Sequence, residues 1–203
     1  MLLTDSSHGF SDDLEASLAH AFDGLASAAT DRRAAMHTPS VATIGLDGSP
    51  RSRTVVLRHF DRTERSIRFH TDIRSEKYAE LQTDPRIAAH FYDVGEKIQL
   101  RLNGRATVHV TDSLANEAWA ASQAMSRHCY VTEPAPGSVI SDGGNFSIPK
   151  GRELTDDGRR HFCAVKMVFT RLEWLWLGSD GHRRALFEWN EQASTPVMRW
   201  LVP

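Results

Sequence analysis

Short apolar runs that return on themselves through tight turns constrain this chain more than any other feature. Residues 41–46, Val-Ala-Thr-Ile-Gly-Leu, read as a strand. Asp47-Gly48-Ser49-Pro50 reads as a turn, and residues 51–60 as the strand that comes back. A third strand is expected at 65–70, an apolar one at 86–92, and a long one at 97–111 with Gly104 as a bulge or bend. Further strands are expected at 161–169 and 170–177. A Gly178-Ser179-Asp180-Gly181 hairpin turn follows, then strands at 182–189 and 197–201. Helices are few. Leu14, Leu18, Phe22 and Leu25 repeat at helical spacing behind Ser11-Asp12-Asp13, a short helix is expected at 74–82, and another at 113–125 capped by Thr111 or Asp112. Strands without βα alternation predict an α+β, mainly β chain: an antiparallel barrel with added helices. No G-x-G-x-x-G or P-loop pattern occurs, which argues against those nucleotide folds.

One domain over 1–203 is the expectation at this length, with residues 1–10 loosely attached. Residues 132–159, rich in Pro, Gly, Ser and Asp, predict a long loop that is functional or disordered. The net charge of −2 gives no bias toward nucleic acid or membrane. No apolar run approaches a membrane span, and the start of the chain is acidic rather than signal-like. Cys129 and Cys163 form no C-x-x-C motif, which predicts a reduced, cytoplasmic protein. The ten histidines are scattered without ligand spacing, so no metal is expected. Only four of the 24 basic residues are lysine, and an arginine-rich set suits planar anion contacts.

Residues 51–77 concentrate the candidate chemistry. Two adjacent strands and a helix start carry Arg53, Arg58, Thr71, Ser75 and Lys77 toward one region. Guanidinium groups, hydroxyls and helix N-terminal amides together suit a phosphate. Arg53 and Arg58 stand five residues apart, so a regular strand would turn them to opposite faces. They then serve two ligands, or one through a bulge, or are solvated arginines of an edge strand. Gln99 interrupts an apolar strand and must find polar partners, in the backbone or in a ligand. Trp174 and Trp176 share a strand face, as core or as one wall of a flat pocket. No Ser–His–Asp set, carboxylate pair or reactive cysteine stands out, so any demanding chemistry belongs to a cofactor.

The runs Arg53-Thr54-Val55-Val56-Leu57-Arg58, Phe69-His70-Thr71, Ser75-Glu76-Lys77 and Asp84-Pro85-Arg86, then Gln99, together resemble the pyridoxamine 5'-phosphate oxidase family of FMN-binding split barrels. Leu172-Glu173-Trp174-Leu175-Trp176 and Gly181-His182-Arg183-Arg184 are similar to its closing region, so the resemblance covers most of 40–203. It implies a six-stranded split barrel, a homodimer, and FMN at the subunit interface. Arg53 and Lys77 would hold the FMN phosphate with Thr54, Thr71 and Ser75 nearby. Val55 and Val56 would lie along the ring system, Gln99 would reach it from the partner, and Trp176 would lie beside it. Arg58 replaces a lysine on the substrate side, where Trp119, Gln123 and Arg183 also fall. Glu76 stands where the family has a second basic residue, Trp119 and Gln123 replace a tyrosine and an arginine, and Ala185 and Phe187 replace a histidine and an arginine. These departures imply an FMN-dependent oxidoreductase acting on an altered small-molecule substrate. The alternatives are a flavin carrier or sensor without turnover, and the same barrel holding haem or a deazaflavin.

Overall fold

The structure, a computed structural model, describes residues 6–147, 157–190 and 194–203. Helix α1 spans Leu14–Thr30, started by the Asp13 carboxylate, which accepts the Ala16 N–H at 2.7 Å. Its inner face buries Phe22 and Leu25, with Leu14 and Leu18 packed at the margin. Burying each such side chain stabilises the fold by roughly 1.5–3 kcal/mol. Phe22 meets Phe60, Phe169 and Trp189, which seats the helix on the sheet. Just ahead of it, residues 6–12 form a 3-10 helix whose Phe10 ring stacks on His20 and stands edge-on to Trp174 and Trp176. Phe10 is thus packed against the body, while residues 1–5 lie outside the described residues.

The nine described strands are β1 Ser40–Ile44, β2 Pro50–Thr54, β3 His59–Asp61, β4 Ser66–Asp72, β5 Arg86–Asp93, β6 Ile98–His109, β7 Phe162–Trp176, β8 Arg183–Glu188 and β9 Val197–Leu201. All pairings are antiparallel, in the order β2-β1-β5-β6-β7-β4-β3, with β8 added to β7 and β9 to β8. This is the architecture of an α+β split barrel. Six strands were expected from the resemblance; the described sheet has nine and strand pairing does not close it.

The split has a visible origin in β7. One edge of this strand pairs with β6 along nearly its whole length. The other edge serves β4 through Phe162–Val168 and β8 through Arg171–Trp176. Two strands were expected over this stretch, yet one strand runs through. At the expected break Val168 and Thr170 are exposed and Phe169 between them is buried, so strand alternation simply continues through it. The Gly104 bulge is present, because the β6–β7 register shifts between Asn103 and Gly104. A Cβ at Gly104 would lie 2.1 Å from the Val168 carbonyl oxygen, so the close approach requires glycine.

Two further expectations change. The strand expected over 51–60 is interrupted, since Val55–Arg58 leave the ladder between β2 and β3. The helix expected over 113–125 divides into α3 Ser113–Ala120 and α4 Ala124–Arg127. The Arg127 guanidinium takes the Trp119 and Ala120 carbonyls at 2.8 and 3.0 Å, closing the end of α3. Asp112, one of the two expected caps, accepts the Ala115 N–H at 3.0 Å. The remaining helix is α2, Glu76–Thr83. The long loop is described over 132–147, with Glu133 bridging to Ser147; residues 148–156 lie outside the described residues. No described helix is long and apolar enough to cross a membrane.

Candidate functional site

The interruption at Val55–Arg58 builds the site. The Val55 N–H bonds the Pro39 carbonyl and the Leu57 N–H bonds the His37 carbonyl, each at 2.9 Å. The next amide crosses over, with Arg58 N–H donating to the Arg68 carbonyl on β4 at 2.8 Å. The segment therefore bridges β1 to β4. Val55 and Leu57 point into the core, while Val56 and Arg58 face a cleft. Arg53 and Arg58 sit on either side of the break, so strand alternation does not relate them.

Arg53, at the end of β2, turns toward α2. It bonds the Thr43 hydroxyl and reaches the Glu80 carboxylate at 2.6 Å. Thr43 also donates to Glu80 at 2.6 Å, and Glu80 is 3% exposed. Glu80 was absent from the sequence-based set. Its signal there was only a glutamate three residues beyond Lys77, on a helix too short to show which face is buried.

Lys77 lies one turn before Glu80 and half-buried. Burial and the neighbouring Arg53 charge hold its pKa below the ordinary lysine value, against the opposing pull of Glu80, Asp72 and Glu76. Among the described residues no carboxylate forms an ion pair with Lys77. Ser75 precedes α2 but makes no side-chain cap. Its hydroxyl instead donates to the Asp72 carbonyl at 2.6 Å and lies 3.1 Å from the Thr71 hydroxyl. Asp72 is held by Arg74 through Nε at 3.0 Å and Nη2 at 2.8 Å. Arg53, Thr71, Ser75 and Lys77 are thus gathered around the start of α2, with Thr54 exposed at the strand end. Glu76 is exposed on the first turn of α2, away from the core.

A cleft of ≈ 700 Å³ opens on the far side of the Val55–Arg58 segment. Val56, Arg58 and Gln123 line it together with Arg68, His70 and Ser122. Trp119 is turned away: it is 7% exposed and packs edge-on against Tyr130 and Phe162, with Arg127 4.9 Å over its ring.

Gln99, Trp176 and Arg183 form a separate group at the β6–β7–β8 end. Ile98 pairs with Trp176, and Trp176 with Arg183. Gln99 bonds the His90 ring at 3.0 Å, and Arg183 bonds Asp12 at 2.7 Å. No hydrogen bond or ion pair between described residues connects this group to Arg53, Thr71, Ser75 or Lys77. Arg184 is engaged elsewhere. With Arg171 and Arg101 it surrounds Glu173, whose carboxyl is held below the usual range despite burial by its Arg184 and Arg171 hydrogen bonds.

The chemistry of the group at the start of α2 suits a phosphate such as that of FMN. It offers a partly desolvated ammonium with no ion pair among the described residues, a guanidinium, two hydroxyls and a helix start free of a side-chain cap. The family model for the pyridoxamine 5'-phosphate oxidase FMN-binding domain matches residues 19–110. A pyridoxine/pyridoxamine 5'-phosphate oxidase of Burkholderia multivorans is 33% identical over 165 residues, covering 79% of this chain and 75% of the relative. Pyridoxine/pyridoxamine 5'-phosphate oxidase 2 of Arabidopsis thaliana is 39% identical over 109 residues. That match covers 48% of this chain and spans 52%, about half, of the relative's length. A solved pyridoxamine 5'-phosphate oxidase-related, FMN-binding protein of Nostoc punctiforme shares the fold. Its TM-score is 0.71 at 23% identity, over 92% of this chain and 96% of that one.

Proposed function

Because the chain belongs to the pyridoxamine 5'-phosphate oxidase family, we propose that it is an FMN-dependent oxidoreductase whose substrate differs from that of the named oxidases. FMN is the cofactor of the family's domain. The observation that carries the proposal is Lys77: a half-buried cation with no ion-pair partner among the described residues, beside Arg53 and at an uncapped helix start. An FMN phosphate would supply the missing negative charge.

In this reading Arg53 and Lys77 hold the phosphate, with the Thr71 and Ser75 hydroxyls and Thr54 beside them. The backbone of Val55 and Val56 runs along the ring system. FMN, when bound, supplies the two-electron acceptor and donor chemistry that no side chain here provides. The cleft orients the substrate through Arg58 and Gln123 and screens it from water. Trp119 supports the cleft wall from behind.

The separate Gln99–Trp176–Arg183 group supports a homodimer in which each copy completes the other's flavin site, Gln99 and Trp176 against the cofactor and Arg183 toward the substrate. Substitution at the substrate side, with Gln123 for an arginine and Ala185 and Phe187 beyond Arg183, supports the altered substrate. We read 1–203 as one domain, and the free thiols Cys129 and Cys163 support a cytoplasmic setting.

Titration with FMN, followed by quenching of flavin fluorescence, tests the proposal. Saturable binding is expected, with Lys77→Met weakening it about tenfold or more. A wild-type protein that binds no FMN overturns the reading. Bound FMN reduced rapidly by pyridoxamine 5'-phosphate overturns the altered substrate, and a monomer that binds FMN tightly overturns the shared site.

A further inference from the structure

The short stretch ahead of α1 is packed, and it is packed on two residues of the flavin reading. The Phe10 ring stacks on His20 of α1 with 4.0 Å between centroids. Its other ring neighbours are Trp174 and Trp176, edge-on at 6.2 and 6.5 Å. Ser17, wholly buried on α1, donates to the Phe10 carbonyl at 2.7 Å, and Ser11 is 3% exposed. Asp13 caps the helix, which leaves Asp12 to turn toward β8. There its carboxylate accepts the Arg183 Nε–H at 2.7 Å.

Trp176 and Arg183 stand opposite each other in the β7–β8 ladder, so residues 10–12 form one strap that touches both. Their own turn holds them from the other side. A Cβ at Gly178 would lie 2.4 Å from the Trp176 ring, so the indole rests directly on that turn. Arg183 Nη1 donates to the Gly181 and His182 carbonyls at 3.3 Å, while Nη2 makes no hydrogen bond among the described residues. The guanidinium is planar and rigid, so holding Nε and Nη1 aims Nη2. Large side chains on an unsupported turn lose rotamer freedom when they meet a ligand. Ordering them beforehand removes that cost from binding.

We propose that Phe10 and Asp12 are positioning residues of the flavin site, holding Trp176 and Arg183 in the arrangement that the cofactor of the other copy meets. Neither residue touches the reacting atoms. The ion pair acts on direction more than on stability, because Asp12 is 71% and Arg183 39% exposed at the side chain. This role rests on the shared-site reading, in which Trp176 and Arg183 of one copy face the flavin held by Arg53 and Lys77 of the other. The strap therefore works across the interface, on the site of the copy to which it does not belong.

FMN binding by mixed dimers of the full chain tests this. The strap variant carries Phe10→Ala and Asp12→Asn, and as a homodimer it should bind FMN about tenfold or more weakly than the wild type. Asp12→Asn alone keeps the apolar contacts. It should weaken FMN about threefold at an unchanged thermal midpoint, with Asp12→Glu recovering part of the loss. The strap variant and Arg53→Ala are then co-expressed with different affinity tags, and the heterodimer is isolated through both. Each parent homodimer has two damaged sites. In the heterodimer one site combines both defects, and the other joins an intact Arg53 to an intact strap. At an FMN concentration that loads the wild type but neither parent, the heterodimer is expected to bind one FMN. A strap that served only its own copy would leave both sites damaged and the heterodimer empty, which overturns the proposal. Wild-type FMN affinity in the strap variant overturns it too. A heterodimer of Arg53→Ala with Gln99→Ala tests the shared site without the strap. Recovery there but not in the strap mixture removes the strap and keeps the shared site, while recovery in neither removes both.

Discussion

Removing Arg53 should damage the protein twice, and the two effects can be separated. Glu80 is 3% exposed at its side chain and Arg53 21%, with 2.6 Å between their charged atoms. Arg53→Ala leaves the Glu80 carboxylate buried with Thr43 as its one hydrogen-bond partner. Breaking a fully buried pair from one side costs about 3–5 kcal/mol. Arg53 keeps some contact with water, so about 2–3 kcal/mol is the better figure here. Adding Glu80→Gln removes the stranded charge but keeps a group for Thr43 to bond, so the double variant should recover about 1–2 kcal/mol. FMN affinity should not recover, because the lost phosphate contact is worth roughly 1.5–3 kcal/mol, or at least tenfold in affinity. Glu80→Gln alone should bind FMN at least as well as the wild type, since it stops competing for Arg53. Urea unfolding of the FMN-free protein gives the stabilities, and flavin quenching gives the affinities. The reasoning fails if the double variant is no more stable than Arg53→Ala. It fails equally if Glu80→Gln alone loses FMN as severely as Arg53→Ala does.

The remaining predictions concern β4 and β6. His70 has a folded pKa pushed from 6.5 to about 3, so below pH 6.5 the unfolded chain takes up a proton that the folded chain refuses. Stability is therefore complete above about 6.5 and falls as pH drops toward about 3, by at most about 1.4 kcal/mol per unit from this group. Unfolding measured across that window should show a flatter dependence for His70→Gln, and parallel curves would remove the burial argument. Gly104→Ala should cost about 2–3 kcal/mol by forcing β6 from the Val168 carbonyl, and a thermal midpoint equal to the wild type would refute the close approach.

The hairpins and the α+β class were legible because their signals are local. Asp47-Gly48-Ser49-Pro50 turns where expected, with Gly48 at φ 79°, and the Asp13 cap starts α1. What was not legible depends on contacts distant in sequence. The unbroken β7 needs β4 and β8 to share one edge, and nothing within 161–177 announces that. The end of α3 depends on Arg127 reaching back to two carbonyls. Trp119 looked available for a ligand because a helical tryptophan shows no face in the sequence; Phe162 and Tyr130 decide that it faces inward. Glu80 was missed for the same reason, since its buried environment comes from Thr43 and Arg53.

The break at Val55–Arg58 carries the most consequence for function. Alternation on an unbroken strand sends Arg53 and Arg58 to opposite faces, and leaves unclear why one short stretch should hold both. The backbone hydrogen bonds resolve it. Thr54 still pairs with Ser40 in the β1–β2 ladder, but Val55 and Leu57 bond the chain ahead of β1, and Arg58 bonds β4. The chain thereby spans the two ends of the sheet order that strand pairing leaves apart. Before the crossing, Arg53 is delivered to Thr43, Glu80 and Lys77 at the start of α2. After it, Arg58 is delivered to Arg68 and His70 in the cleft. Val56 sits between them and faces outward. A ligand with a phosphate at one end and a flat ring at the other could lie along this crossing with its ring edge toward the cleft. A regular strand from 51 to 60 would keep its amides in a ladder and could not join the two sites in that way.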